Sequence, residues 1–269
     1  SGTNIHENRG NALKLVVRAL QAAIEAGVEL ELGGVDGGSK YNAIPREAEA
    51  RLFLAPAALE PLRAVLARIE QDFHSELRGI DEGLKIELAP AEAASGALAR
   101  GDRDRLLGLL AVLPHGVAGM SPAIPGLVET SNNLAAVHEE HGRTHVVVSS
   151  RSSVLPTMQA VLAALRAAGR LSGAEVETHD GYPGWKPNLE SPVLKLVRDV
   201  YRERWGREPE VTAIHAGLEC GLLGERIAGC DMISFGPQIE GAHSPDERVH
   251  VPSVERFWGA LREVLVRLS

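Results

Sequence analysis

The chain has 269 residues, 44% of them apolar and 24% charged, an ordinary globular mix with room for one large domain or two average ones. A net charge of −8 argues against a nucleic-acid partner, which needs a basic face. No stretch approaches the roughly 18 uninterrupted apolar residues of a membrane span.

The opening "SGTNIHENRGNALK" has neither the basic end nor the apolar run of a secretory signal. It also lacks an initiator methionine, which suits an excised or processed segment. Leu13, Val16, Val17, Leu20 and Ile24 then recur at helical spacing and stop at Gly27. "VELELGGVDGG" alternates like a strand and ends in a glycine turn, and "NAIPREAEARLFLAP" predicts a second strand. A helix follows in "AALEPLRAVLARIEQDFHSEL", with Pro61 tolerable in its first turn. "LKIELAPAE" predicts another strand, and "GDRDRLLGLLAVLPHG" a short helix with an acidic cap. "GLVETSNNLAAVHEEHGRTHVVVSSRSS" reads as two strands joined at His141-Gly142. "VLPTMQAVLAALRAAGRLSG" is a helix with a glycine stop, and "AEVETHD" a closing strand.

This order predicts an α/β fold with helices on one face of a sheet up to about residue 180. After "GYPGWKP" the texture changes, which sets a boundary there. "SPVLKLVRDVYRERWG" is a helix with a Ser-Pro start. "DMISFG" predicts a short strand, and the tail an amphipathic helix with Val254, Phe257, Trp258, Leu261, Leu265 and Leu268 on one side. Cys220 and Cys230 are too few for a disulfide framework and read as small buried side chains in a reducing compartment.

Ten histidines invite a metal reading, and most resolve into something plainer. "HEEH" at 138–141 is one residue short of the HExxH zinc motif and sits on a hairpin turn rather than a helix. His74, on a helix, and His115, in a "PHG" turn, read as surface residues. His215 and Glu219 in "IHAGLECG" are four apart, so they share a face if the segment is helical; a structural hydrogen bond in a glycine-flanked turn serves equally well. His243 in "GAHSPDE" lies in a loop before the last helix, where α/β proteins place ligands and catalytic groups. "GGVDGGSK" lacks the spacing of a phosphate loop, and no G-x-S-x-G elbow is present.

Five stretches together carry a resemblance: "SGTNIHENRGNALKL", "NAIPREA", "YPGWKPNLESPVLKLVRDVY", "IHAGLECGLL" and "GPQIEGAHSPDERVHVPSV". They resemble the cytosolic aminoacyl-histidine dipeptidases, two-zinc peptidases related to carnosinase and the aminoacylases. The resemblance implies that residues 1–180 form a lid that mediates homodimerisation, and that 181–269 form the C-terminal part of a catalytic domain in a cytoplasmic enzyme. It makes His243 the last ligand of a two-zinc site, where a metal-activated water attacks the scissile carbonyl of a dipeptide. Asn133 and Arg151 would reach substrate, Arg151 through a two-point grip on the C-terminal carboxylate. His215 and Glu219 would lie near the metals, on the substrate amino group or behind the ligands.

The family's other metal ligands and its general-base glutamate belong to motifs that are not found in these residues. One histidine cannot hold two zinc ions, so the resemblance implies that the 269 residues alone are inactive. The competing expectation is a non-catalytic dimerisation or peptide-binding module.

Overall fold

The computed structural model describes residues 2–91, 96–122, 124–179, 181, 185, 188–211, 219–240 and 247–269. Two compact units divide it, Ser1–Asp180 and Gly181–Ala213 with Gly217–Ser269; residues 214–216 lie outside the described ones.

In the first unit, a 3-10 helix over Gly2–Glu7 precedes α1 (Ala12–Glu25). Asn11 caps α1, its Oδ1 accepting from the Lys14 N–H at 3.2 Å. Strands β1 (Glu31–Gly37) and β2 (Ala48–Phe53) pair antiparallel, and α2 (Leu59–Glu76) and α3 (Arg100–Val112) follow. Then come β3 (Gly116–Met120), β4 (Val128–Glu140), β5 (Arg143–Ser152) and α4 (Leu155–Leu171). The turn between β4 and β5 falls on His141 and Gly142, both at positive φ.

β4 organises the sheet. It pairs with β5 from Thr130 to Glu140 on one edge, so β3 (at residues 128–132) and β1 (at Val137) must share its other edge. All these pairings are antiparallel. Leu13, Val17 and Leu20 of α1 and Leu107 and Leu110 of α3 pack with Leu32, Val35, Leu134 and Val137 of the sheet. Ala168 of α4 joins the same core, so the helices lie on one face. α2 packs against α1 through Ile69 and Phe73.

The second unit holds α5 (Pro192–Trp205), α6 (Glu219–Arg226), a two-stranded pairing of β6 (Ile239–Glu240) with β7 (Arg248–Val249), and α7 (Val251–Leu268). Its core is Val197 and Val200 of α5 against Ala260 and Val264 of α7. Ser191 caps α5: its Oγ accepts from the Leu194 N–H and donates to Asp231 Oδ2 at 2.9 Å. The Val193 N–H, which donates to the same Asp231 oxygen at 2.9 Å, and the Ser191 hydroxyl hold the Asp231 carboxyl below its ordinary range.

Several expected elements differ. "LKIELAPAE" is not a strand. The Ile86 N–H donates to Glu70 Oε1 on α2 at 2.7 Å, and Leu84 and Ile86 pack against the helices, so helix contacts take the place of a ladder. "AEVETHD" is not a strand either. The wrap at the end of α4 ties the Ala174 N–H to Gly169 O, and no ladder follows through residue 179. "DMISFG" is unpaired; Ile233 and Phe235 pack on the core of the second unit instead. α3 has Ala99 at its cap position with no side-chain bond, and Asp102 within the helix pairs with Arg105. β3 was not expected, because its glycines, Gly116 and Gly119, dilute any strand signal. The buried stripe of α7 is Ser253, Ala260 and Val264, while Trp258 and Leu265 are exposed. Cys230 is exposed and Cys220 half-buried, so neither is a core residue.

Candidate functional site

The run Thr130-Ser131-Asn132-Asn133 puts four polar side chains on a strand buried throughout that stretch. Burying a polar group costs free energy unless it finds a partner. Thr130 Oγ1 lies 2.9 Å from Ser152 Oγ, and Ser150 Oγ donates to Asn132 Oδ1 at 2.7 Å, both across the β4–β5 pair. Asn133 Nδ2 donates to Ala43 O at 2.7 Å. Asn133 Oδ1 is buried and has no hydrogen-bond partner of ordinary geometry among the described residues. Because Ala43 O can only accept, the amide cannot be turned over, and the unsatisfied atom is the oxygen.

Register places Ser131 opposite Arg151 and Asn133 opposite Ser149. The four therefore share one face, and the core residues Leu134 and Val148 take the other. With Ile5, Tyr41 and Asn42 they line a recess whose open volume, about 10 Å³, is that of a single water. The loop carrying Tyr41 and Asn42 leaves β1 at Gly38, where φ is +74° and a Cβ would lie 2.0 Å from Ala135 O. Only glycine lets the loop turn back over β4 there.

Arg151 is half-buried in this recess, and no carboxylate pairs with it among the described residues. Burial pushes its pKa down and the Tyr41 hydroxyl works the other way, but a guanidinium stays charged. A buried-side cation beside side-chain donors and without an acidic partner can hold an anion the size of a carboxylate oxygen.

Behind the recess lies a residue that sequence reasoning set aside as a surface histidine. His115 is half-buried, and its Nδ1 is 3.1 Å from Asn11 Nδ2. Burial, together with the nearby Lys14 ammonium, lowers its pKa to about 4, and the Asn133 side chain opposes this by favouring the charged ring. Lys14 itself donates to the carbonyls of Leu110, Ala111 and Leu113 at 2.7–2.9 Å, closing the C-terminal end of α3. A polar run on a mid-sheet strand was the available signal for this cluster.

The remaining expected site residues are not brought together in what the structure describes. Glu219 opens α6 and is exposed. His215 and His243 lie outside the described residues. His138, on β4 rather than a loop, sits 3.1 Å from Asp36 on the solvent side.

The chain matches the model of peptidase family M20/M25/M40 over residues 20–267. The chain belongs to that family. It is 37% identical over 265 residues to the cytosol non-specific dipeptidase of Escherichia coli (strain K12), covering 98% of the chain and 54% of that protein. It also superposes on the crystal structure of aminoacylhistidine dipeptidase from Vibrio alginolyticus with a TM-score of 0.84 at 35% identity, over 99% of the chain and 54% of that one. The chain thus spans about half the length of these relatives.

The metal expectation meets a limit here. Among the described residues, no three His, Cys, Asp or Glu side chains stand where they would together hold a metal ion. They do not fit a two-zinc site by themselves. No described helix is long and apolar enough to cross a membrane.

Proposed function

We propose that these residues are the substrate-gripping and dimer-forming portion of a cytoplasmic metallo-dipeptidase, with residues 1–180 as the lid and 181–269 as part of the catalytic domain. Arg151 holds the C-terminal carboxylate of a dipeptide, aminoacyl-histidine included, and Asn133 supplies an adjoining N–H. The observation that carries this is the recess: an arginine with no carboxylate partner among the described residues, on the same face of the β4–β5 pair as a buried asparagine that stands diagonal to it. Membership of a peptidase family and the names of the two relatives support the choice of a dipeptide as the anion. Zinc is the metal we assign to the complete site, with His243 as one ligand and His215 and Glu219 close to it.

The 269 residues alone are expected to bind without cleaving, because the one ligand assigned here, His243, cannot hold two zinc ions by itself. NMR titration tests the reading, with glycyl-histidine compared against its C-terminal amide. The Arg151 Nε–H signal is expected to move with the free carboxylate and not with the amide. Equal responses, or none, would sink it.

A further inference from the structure

The Asn11 side chain cannot be reversed. Its Oδ1 takes a hydrogen from the Lys14 backbone N–H, which can only donate, and its Nδ2 gives one to Leu134 O at 2.8 Å, which can only accept. The second Nδ2 hydrogen is therefore the one aimed at His115 Nδ1, 3.1 Å away. A ring nitrogen facing a donor must accept, so His115 Nδ1 carries no proton and a neutral ring keeps its hydrogen on Nε2.

The strand register says where that ring lies. Gly116 is paired with Asn132, and Val117 with Ser131, so the residue before Gly116 stands across from Asn133. Asn133 Oδ1 is the buried acceptor with no partner of ordinary geometry, on a side chain 5% exposed. Its attraction for a ring N–H is nevertheless felt at His115, where it opposes the two larger effects of burial and Lys14.

We propose that His115 is a positioning residue for the recess: neutral and protonated on Nε2 alone, it faces the Asn133 oxygen and fixes that amide with its NH2 group toward Ala43 and the anion held by Arg151. One Nδ2 hydrogen ties β4 to the loop bearing Tyr41 and Asn42. The other is left to serve as a donor. The relay runs from the cap of α1 through the ring to the recess, and it makes the site's polarity that of an anion holder. Asn133 contributes hydrogens there, not its oxygen. The assignment of an anion rests on the function proposed above; the relay itself does not.

Nitrogen-15 spectra of the full chain, labelled at histidine, test the tautomer directly at neutral pH, with His115 assigned by its loss in the variants. A single Nε2–H tautomer is expected; an Nδ1–H tautomer or a rapidly averaging mixture would overturn the proposal. Two variants test the consequence. His115→Asn keeps an acceptor for Asn11 and a donor for Asn133, whereas His115→Leu fills the space with neither. The Asn133 side-chain N–H groups are expected to exchange with water about fivefold faster in the leucine variant, which offers no donor to the amide oxygen, and close to the wild-type rate in the asparagine variant. Equal rates in all three proteins would overturn the relay. If the leucine variant does not fold, the wild-type tautomer and the asparagine variant still decide it. A wild-type chain that shows the tautomer and the exchange pattern but no response of Arg151 to glycyl-histidine would count against the carboxylate recess and not against the relay.

Discussion

His115 couples the stability of the first unit to pH in a direction fixed by its surroundings. An ordinary imidazole titrates near 6.5, and this one near 4, so between those values the unfolded chain binds a proton that the folded chain refuses. Stability is therefore full above about 6.5 and falls as pH drops toward 4. The gap, at about 1.4 kcal/mol per tenfold change in proton affinity, is worth about 3 kcal/mol when complete and about 2 kcal/mol by pH 5. His115→Asn removes the titration while keeping the acceptor for Asn11. Native-state hydrogen exchange at the buried β4 amides of Leu134 and Val137 reads the opening of this unit separately from the other. Between about pH 7.5 and 5 the wild type should lose about 2 kcal/mol more than the variant. Parallel losses in the two proteins, or a wild type that gains on acidification, would refute the reasoning.

Arg151→Gln should weaken glycyl-histidine binding by roughly tenfold to a hundredfold, the usual yield of a charge-assisted pair, with unfolding by urea little changed. Asn11→Ala removes the α1 cap and the bond to Leu134 O together, and should cost about 2 kcal/mol or more in the same urea experiment. Ser191→Ala removes the α5 cap and its bond to Asp231, for about 1–2 kcal/mol in the second unit, measured by exchange at the buried Val197 and Val200 amides. Elemental analysis after dialysis against zinc should give well under two metals per chain. Two per chain, lost in His243→Ala, would contradict the proposed incompleteness of the site.

Much of the fold was legible because its signals are local. The spacing of Leu13, Val17 and Leu20, the Ser191 cap with Pro192 behind it, and the turn at His141-Gly142 each dictate their own backbone. Strand pairing is not local. "LKIELAPAE" and "DMISFG" have the composition of strands, but whether a ladder or a helix face takes them depends on distant residues such as Glu70 and Val200. In α7 the apolar residues circle the helix widely enough that spacing alone did not pick the inward stripe. That Asn133 and Arg151 each reach substrate was implied by resemblance alone, and the β4–β5 register is what sets the two on one face. His115 escaped notice because a histidine in a turn looks solvated until the cap of α1, 104 residues away in sequence, is seen to close on it.

The most direct measurement is a crystal structure of the chain with glycyl-histidine. The account predicts the peptide's carboxylate oxygens within hydrogen-bonding distance of the Arg151 guanidinium and Asn133 Nδ2, with Asn133 Oδ1 turned toward His115. A peptide bound elsewhere, or one whose N–H donates to Asn133 Oδ1 while Arg151 stays unliganded, would contradict it.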